Sequence, residues 1–413
     1  LKRGTIMVEI SIIGATISGN KGAESMFLSG LQGITSHIPE AKINLFTYYP
    51  EIDNRLNNHP NVTICDGTPL ALSAIFPALA LIYTAMQKLH LPTFLIEKQR
   101  DFAALTRSDL IIDMAGISFV DGREKYLPFN IACVLTPILL KKKILKYSQA
   151  LGPFKNPVNR FCAKQILPKI NCVVARGDTT MQHLAEIGLT NVDLAADAAF
   201  SLNIDTKAFA ASEEYIREDF YEKKIVGISP SSVIESYCKR NDINYPRIMA
   251  DFIDHLTDRG YNVLLIPHSI RKDTSKRKNN DLIVSREIQE LVQDKHSCIL
   301  IADELGAEEL RAIIGRCDYF IASRFHAMVS ALAMKVPTLV CGWSHKYIEV
   351  LKMFQLEDYA FDYKDLNLKM MISKFDTLVH SQEIIKSKLE RHLPDVISSS
   401  KKNVLIAKSL LES

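Results

Sequence analysis

The chain has 413 residues, a length that suits two domains of about 200 residues each. Hydrophobic residues make up 47% of the sequence and charged residues 23%, which excludes a disordered or fibrous protein. Fifty Lys and Arg against 47 Asp and Glu leave a net charge of only +3, with no basic block. This balance argues against a nucleic-acid partner.

The eight cysteines are scattered along the chain without any C-x-x-C pair, at Cys65, Cys133, Cys162, Cys172, Cys238, Cys298, Cys317 and Cys341. This spacing argues against a zinc ribbon or a disulfide framework and predicts reduced, mostly buried thiols in a cytoplasmic protein. No cluster of Asp, Glu and His has metal-ligand spacing, so the sequence demands no metal. Residues 1–4 run directly into a strand-like segment, and no secretory signal peptide is expected.

Apolar runs of strand length alternate with helical stretches in the first half of the chain. Strands are predicted at Val8–Ile13, Lys42–Tyr48, Leu110–Met114, Ile144–Ser148 and Val173–Ala175. Helices are predicted at Ala23–Ile34 and Thr179–Ile187. This alternation predicts βαβ units with right-handed crossovers, and therefore a parallel sheet.

The stretch from Gly67 to Gln87 has no charged residue and is long enough to cross a bilayer, although Pro77 interrupts it. A true span would put the predicted strands Val8–Ile13 and Leu110–Met114 on opposite sides of the membrane, where they could not share a sheet. Two other interpretations of residues 67–87 allow the two strands to share a sheet. One is a buried or loosely packed helix, and the other is a peripheral contact of residues 67–87 with the cytoplasmic face of a membrane.

A second series of elements follows a polar linker at residues 203–224. Strands are predicted at Ile225–Ser229, Asn262–Pro267, Cys298–Ile301, Tyr319–Ala322 and Thr338–Cys341, with a helix at Pro246–Arg259. The fold class is therefore α/β, with two Rossmann-like domains facing across a cleft. We expect an N-terminal domain at 1–204, a C-terminal domain at 205–395, and a final helix at 396–413 that packs back on the first domain. The charged run 271–278 is either an exposed loop or a lid.

Arg324 and His326 lie where a buried strand passes into a helix of small residues, Ala327–Met334. Free backbone N–H groups and the helix dipole favour an anion at such a point. Arginine offers a permanently charged fork for phosphate or carboxylate, and histidine can donate a proton near neutral pH. The alternative is an arginine paired with a carboxylate beside a histidine that caps its helix.

Two further cations follow neighbouring strands. Lys346 follows the strand Thr338–Cys341 and should point to the same sheet edge as Arg324, because adjacent parallel strands end there. Arg176 follows a strand of the first domain and should face the cleft from the opposite wall. Its alternative is a surface arginine paired with Asp178.

Other segments after strands are weaker candidates for lining the cleft or binding an acceptor. The loop Gly19–Glu24 has two glycines three residues apart, which permit close backbone approach to a ligand, and it supplies Asn20 and Glu24. Gln149 begins a turn after another strand. His268 closes a strand of the second domain, and a plain core or rim role suits it equally.

Six short motifs occur in order along most of the chain: G-N-K-G-A-E at 19–24, Q-A-L-G-P at 149–153, A-R-G-D at 175–178, D-A-A-F at 197–200, P-H-S at 267–269 and R-F-H-A-M at 324–328, followed by V-P. Together they resemble the polysaccharide pyruvyl transferase family. The resemblance implies a fold like that of GT-B glycosyltransferases. It also implies transfer of the pyruvyl group of phosphoenolpyruvate onto two sugar hydroxyls as a cyclic ketal.

The resemblance also implies roles for single residues. His326 corresponds to the family's histidine and Arg176 and Lys346 to its arginine and lysine around phosphoenolpyruvate, with Arg324 alongside. The acceptor would be a saccharide, free or lipid-linked, and no cofactor beyond the co-substrate is implied. The chain departs from the family at residues 114–117, where a G-G-G segment is usual, and Gly177 replaces a bulkier residue of many relatives.

The chemistry of phosphoenolpyruvate suits these residue types. Its carboxylate and phosphate need a positive site, and protonation of its methylene carbon needs a general acid, which we assign to His326. A glycosyltransferase using a nucleotide sugar would share the fold, and a retaining enzyme often has a pair of glutamates about eight residues apart. Glu349 is present, but Leu356-Glu357 gives it the wrong partnership. A non-catalytic membrane scaffold would explain residues 67–87 but not the cationic groups at one cleft.

Overall fold

The computed structural model describes residues 8–271, 277, 279–342 and 344–413, without the side chain of His345. The predictions made for residues 1–4, and for most of the charged run 271–278, lie outside these residues.

The chain forms two compact units. Unit 1 comprises the chain to Ser18 together with Met26–Ser201 and Ser398–Ser413, and unit 2 comprises Gly19–Ser25 and Leu202–Ile397. The main segment of unit 1 ends at Ser201, three residues before the domain boundary predicted at 204. The short segment Gly19–Ser25, which was predicted to belong to the N-terminal domain, is part of unit 2.

The strands of unit 1 are β1 (Glu9–Ile13), β2 (Lys42–Thr47), β3 (Val62–Asp66), β4 (Leu110–Asp113), β5 (Lys143–Gln149), β6 (Cys172–Ala175) and β7 (Val192–Leu194). They form one parallel sheet in the order β3-β2-β1-β4-β5-β6-β7. The central strands are buried on both faces, which explains their nearly continuous apolar sequences.

The helices of unit 1 are α1 (Lys21–His37, whose first turn belongs to unit 2), α2 (Pro50–Leu56), α3 (Phe76–Lys88), α4 (Phe94–Glu97), α5 (Arg100–Arg107), α6 (Leu127–Leu139), α7 (Pro157–Ile166) and α8 (Asp178–Glu186). A π-helical turn, Ala71–Ile75, leads directly into α3.

Unit 2 contains a six-stranded sheet. Its strands are β8 (Ile225–Ser229), β9 (Asn262–Leu265), β10 (Cys298–Leu300), β11 (Tyr319–Ala322), β12 (Thr338–Gly342) and β13 (Ala360–Asp362). All pairs are parallel, in the order β10-β9-β8-β11-β12-β13. The α/β class with two parallel sheets is thus confirmed.

The helices of unit 2 are α9 (Thr206–Glu213), α10 (Ser232–Lys239), α11 (Tyr245–Asp258), α12 (Asp281–Leu291), α13 (Ala307–Ile314), α14 (Phe325–Ala333), α15 (His345–Lys352), α16 (Leu368–His380) and α17 (Gln382–Glu412, which ends in unit 1). Within unit 1, the end of α17 packs on the rest of that unit. The Ser400 hydroxyl donates to Asp197 O at 2.9 Å, and Val404 contacts Gly33.

The loop after β1 is organised by a buried carboxylate. Asp53, fully buried in α2, accepts hydrogen bonds from the Thr16 hydroxyl at 2.9 Å and from the backbone N–H groups of Ile17 and Ser18 at 3.1 and 2.8 Å. Gly14 begins the loop with a φ of 84°, and the backbone of Ala115 lies too close for a side chain there. These contacts fix the path of the chain toward residues 19–25.

All eight cysteines are free thiols, and six of them are buried. Burial raises the pKa of Cys65 and Cys298, to about 12 in each case, so these thiols stay protonated near neutral pH.

Candidate active site

The strand order of the unit 2 sheet reverses between β8 and β11, since β9 continues on one side and β12 on the other. In sheets of this kind, ligands bind in the crevice at the carboxyl ends of these two strands. The Ser323 backbone N–H donates to Ser229 O at 3.1 Å and ties the two strand ends together. The charged and imidazole side chains around this point form what we call the switch-point cluster: Lys21, Glu24, His268, Asp281, Arg311, Arg324, His326 and Lys346.

Arg324 lies between β11 and α14 and binds a buried carboxylate. Its Nε and Nη2 donate to the two oxygens of Asp281 at 2.7 and 2.5 Å. Asp281 is fully buried and also accepts from the backbone N–H and hydroxyl of Ser232 at 2.9 and 3.0 Å. The structure therefore contains the arginine–carboxylate pair that the sequence left open as the alternative. Asp281 offsets much of the charge that Arg324 could offer to a ligand.

His326 is the second residue of α14 and is partly exposed. Its ring packs edge-on against Phe325, with the ring centroids 5.1 Å apart. It also lies against Gly22, where an added Cβ would come within 2.1 Å of the His326 Nδ1. Gly22 therefore permits close approach, as predicted from the loop glycines, but the group that approaches it is this imidazole.

His268 follows β9 and is buried, so its side chain does not lie at an exposed rim. Burial, together with the nearby positive groups of His326, Arg324, Arg311 and Lys21, lowers the pKa of His268 to about 3. Its Nδ1 finds no hydrogen-bond partner among the residues that the structure describes. His268 is consequently a neutral imidazole at physiological pH.

The segment Gly19–Ser25 adds a buried ion pair to the cluster. The Lys21 ammonium donates to Glu24 Oε2 at 2.8 Å, and the Ala307 backbone N–H donates to Glu24 Oε1 at 3.2 Å. Burial, opposed by Lys21, raises the pKa of Glu24 to about 7. Asn20 is exposed, and its side-chain oxygen accepts from the Gly22 backbone N–H at 3.1 Å, which caps the start of α1.

Arg311 is a buried cation within α13. Its Nη1 donates to Leu202 O at 3.1 Å and its Nε to the Ser330 hydroxyl at 3.4 Å, so neutral groups supply these two bonds. With Lys21, Arg324 and Lys346 it makes four cations in the cluster. The two carboxylates of the cluster do not balance them, since one has a pKa near 7. The cluster therefore favours an anion.

Lys346 is partly buried at the start of α15. Its ammonium lies 4.9 Å from the centroid of the Phe325 ring and 5.3 Å from that of Tyr347, both cation–π distances. The Tyr347 hydroxyl donates to Ser323 O at 3.4 Å, which fixes this residue to the end of β11. Phe325 thus contacts both the Lys346 ammonium and the His326 ring.

Arg176 and Gln149 belong to unit 1, where they follow neighbouring strands. Arg176 is buried and its Nη1 donates to Asp197 Oδ2 at 2.8 Å, so the alternative of a surface pair with Asp178 is wrong. Asp197 is the partner because it follows β7, which lies beside β6. Gln149 is fully buried: its Nε2 donates to Asp113 O at 2.7 Å, and its side chain is part of the interior rather than an exposed lining.

Within unit 2, the structure brings together five of the predicted site residues: Glu24, His268, Arg324, His326 and Lys346. Their roles in binding and catalysis stay predictions. Sequence reasoning did not single out Lys21, Asp281 or Arg311. Lys21 stands inside the glycine motif, whereas Asp281 and Arg311 carried no local signal, because each contacts the cluster only through the fold.

No group of three or more His, Cys, Asp or Glu that could hold a metal occurs within the part of the chain that the structure describes. The expectation that the chemistry needs no metal stays a prediction.

Structural comparison finds this fold in sugar-nucleotide enzymes. A UDP-GlcNAc 2-epimerase from Neisseria meningitidis, solved with UDP-GlcNAc, superposes with a TM-score of 0.62 at 12% identity, over 98% of this chain and 100% of that one. A putative UDP-N-acetylglucosamine 2-epimerase from Listeria monocytogenes gives a TM-score of 0.61 at 11% identity, over 96% and 94%. At such identities the likeness shows the fold alone, which is GT-B-like as expected.

Sequence comparison is more specific. The amylovoran biosynthesis protein AmsJ of Erwinia amylovora is 22% identical over 293 residues, which is 70% of this chain and 69% of that protein. The family model described as polysaccharide pyruvyl transferase matches residues 20–345, a range that includes the whole switch-point cluster except Lys346. Because this match covers about four-fifths of the sequence, the chain belongs to the polysaccharide pyruvyl transferase family.

Proposed function

We propose that this protein transfers the pyruvyl group of phosphoenolpyruvate onto two hydroxyls of a sugar, forming a cyclic ketal and releasing phosphate. Its family membership supports pyruvyl transfer as the reaction. The position of His326 is the observation that supports phosphoenolpyruvate as the donor. His326 is a partly exposed imidazole on the first turn of a helix, at a strand reversal, among buried cations.

Each part of the donor has a suitable group in the switch-point cluster. The phosphate and carboxylate carry negative charge, which the Lys346 ammonium, the first turn of α14 and the cationic excess of the cluster would stabilise. Arg324 is bound to Asp281, so its contribution is partly to hold the α14 N-terminus in place. The Lys346 ammonium lies over the Phe325 ring, which also contacts His326, so Lys346 is the cation we expect to bind the donor most directly.

His326 acts as the general acid in this proposal. It donates a proton to the methylene carbon of phosphoenolpyruvate, which leaves positive charge at C2, and the first sugar hydroxyl adds there and loses its proton. The C2–O bond to phosphate then breaks, and phosphate leaves with the bonding electrons. The second hydroxyl adds to the resulting oxocarbenium carbon and closes the ring. Of the two protons that the hydroxyls release, one restores His326 and the other goes to the departing phosphate, so the reaction balances without a redox partner.

The acceptor is proposed from the relatives. One relative is named for amylovoran biosynthesis, which supports a polysaccharide or a lipid-linked saccharide precursor, made for the cell envelope, as the acceptor class. The eight free thiols suit a reducing compartment, and we place the reaction in the cytoplasm.

Arg176 stays a prediction as a further contact to phosphoenolpyruvate. Its charge is offset by Asp197 within unit 1, so removing it would also leave a buried carboxylate without its cation. A loss of binding in Arg176→Ala would therefore need a stability measurement beside it.

Calorimetric titration with phosphoenolpyruvate and with UDP-sugars tests the donor directly. We expect binding of phosphoenolpyruvate, and release of phosphate when oligosaccharide acceptors are added. His326→Ala should keep donor affinity within a few-fold and lose turnover by about 10²- to 10⁴-fold, the usual contribution of a general acid. Tight binding of a UDP-sugar with none of phosphoenolpyruvate would replace this proposal with a glycosyltransferase.

Lys346 provides the binding test, with a matched control on the same helix. Lys346→Ala should weaken phosphoenolpyruvate binding by about tenfold or more, since it removes a charge-assisted contact. Lys352→Ala removes an exposed lysine at the other end of α15 and should leave affinity unchanged. Equal effects of the two variants would reduce the role of Lys346 to general electrostatics.

A further inference from the structure

The segment from Leu70 to Leu95 in unit 1 exposes an unusual amount of apolar surface. Eight large side chains are between 43% and 69% exposed there, and we call them the apolar face: Leu70, Ile75, Leu81, Ile82, Leu89, Leu91, Phe94 and Leu95. They follow one another along the chain from the residue before the π-helical turn, through α3 and the link after it, to α4. Contiguous apolar patches of this kind are rare on soluble monomers and mark interaction sites.

The helix that carries most of this face is already anchored on its other side. Phe76 and Ala80 of α3 pack into a core cluster with Phe46, Phe102 and Cys133. Only 28% of the 18-residue stretch Ala71–Lys88 is buried, although its composition is apolar enough for a membrane helix. The exposed side of α3 is therefore apolar without any packing need of its own unit.

The sheet excludes a transmembrane path for this stretch. β1 precedes it and β4 follows it, and the two pair directly, with Ile10 opposite Leu110. Both ends of the segment are thus fixed at the same sheet. Any contact with lipid must be made by a helix that lies on the membrane surface.

Cations outnumber acids around the apolar face. No Asp or Glu occurs from residue 67 to residue 96, although such residues make up about one in nine of the whole chain. Lys88, Lys98 and Arg100 follow, against Glu97 and against Asp101, whose Oδ1 accepts from Arg100 Nε at 2.9 Å. The Lys98 ammonium lies 5.8 Å from the centroid of the Phe94 ring, so its charge is held beside the apolar face. Apolar side chains bordered by cations suit anionic lipid headgroups.

We propose that the apolar face binds the surface of a membrane containing anionic phospholipid, with α3 lying in the headgroup region. The occupant is lipid rather than a second copy of the chain, because the face combines aliphatic side chains with a basic border and lacks carboxylates. A second copy would bring the same surface, which has no carboxylate from residue 67 to residue 96, against the Lys98 ammonium. This inference is independent of the donor and of the reaction.

Flotation of the full chain with vesicles tests the proposal. The protein should float with vesicles of equal phosphatidylglycerol and phosphatidylcholine, and more weakly with phosphatidylcholine alone. The triple variant Leu81→Ser, Ile82→Ser, Phe94→Ser should lower the partition coefficient by at least tenfold. Lys98→Gln should lower it several-fold for anionic vesicles and little for neutral ones.

A matched control uses apolar side chains of equal exposure elsewhere in unit 1. Val158 and Phe161 on α7 are 59% and 64% exposed, and Val158→Ser, Phe161→Ser should keep full vesicle binding. Thermal unfolding and light scattering of all variants establish that they are folded and give their oligomeric state. The proposal is overturned if the natural protein does not float with anionic vesicles, or if the control loses binding equally. A dimer that the triple variant dissociates, without vesicle binding, would assign the face to self-association instead.

Discussion

Gly22→Ala tests whether the backbone of residue 22 positions the His326 imidazole. An alanine Cβ would lie 2.1 Å from Nδ1 and 2.6 Å from Cγ of His326, whereas non-bonded heavy atoms prefer about 3.5 Å or more. The ring must therefore retreat by more than about 1 Å, a displacement that can cost about 100-fold in rate when the group is catalytic. We expect turnover to fall by about that factor, with a smaller effect on donor affinity.

The direction in which Gly22→Ala changes the free energy of unfolding can also be predicted. In an unconstrained helix, glycine to alanine gains about 1 kcal/mol, while overpacking costs about 1–3 kcal/mol. Gly22→Ala should therefore be no more stable than the natural protein in urea unfolding. Its ¹⁵N-histidine spectrum should show a shifted signal for His326.

Gly30→Ala is the matched control in the same helix. There an added Cβ meets the terminal methyl of Met114 at 2.9 Å, the flexible end of a side chain that can move at little cost. This variant should keep its histidine spectrum and its turnover. If Gly22→Ala gained the full helix-forming energy with an unchanged His326 signal, the contact between Gly22 and His326 would not position the ring.

Two substitutions in the switch-point cluster should change the pH dependence of stability in opposite directions. The pKa of Glu24 is about 7 when folded and near 4.5 when unfolded, so its contribution to stability is lost as pH rises through this window, by roughly 2–3 kcal/mol between pH 5 and 8. Relative to the natural protein, Glu24→Gln should gain stability by that amount over the same range in urea unfolding. The pKa of His268 is about 3 when folded and near 6.5 when unfolded, so protonation of the unfolded chain destabilises the fold as pH falls below 6.5. His268→Gln should remove a loss of roughly 2 kcal/mol between pH 8 and 5, and parallel pH profiles for either variant and the natural protein would contradict its assigned pKa.

Periodicity and length were sufficient to predict the sheets, because buried parallel strands have nearly continuous apolar sequences. Two strands, Ile225–Ser229 and Tyr319–Ala322, occur with the predicted bounds. Three strands were missed: β3, β7 and β13. All three are at sheet edges, where one side is solvated and the apolar signal is short, as in β7, whose residues are all at least partly exposed. The linker predicted at 203–224 contains α9, whose alanine-rich sequence gave only a weak pattern.

The sequence predicted those parts of the candidate site that lie at the carboxyl ends of parallel strands. The rule of strand ends places Arg324, His326 and Lys346 at one edge, and they lie there. It also explains why the alternative pairing of Arg176 with Asp178 was wrong, since Asp197 follows β7 and would have been the expected partner had that strand been recognised. By contrast, the contact between His326 and Gly22 joins residues more than 300 positions apart, and only the folded chain reveals it.

A buried ion pair in unit 1 is a further contact that only the folded chain reveals, and it provides a final test. Lys146 lies within the predicted apolar strand β5, and the parallel register sets it opposite Asp113 of β4. Both side chains are almost completely buried, and the Lys146 ammonium donates to Asp113 Oδ2 at 2.5 Å and to Gln149 Oε1 at 3.2 Å.

Removing one partner of such a pair leaves a buried charge that nothing compensates, which typically costs about 3–5 kcal/mol. We expect Lys146→Met alone to be destabilised by this amount in urea unfolding. The double variant Lys146→Met, Asp113→Asn carries no isolated charge and should recover more than half of the loss. If the double variant were as unstable as the two single variants combined, the two side chains would act independently. The buried pair would then not be what holds the ends of β4 and β5 together beneath the turn that begins at Gln149.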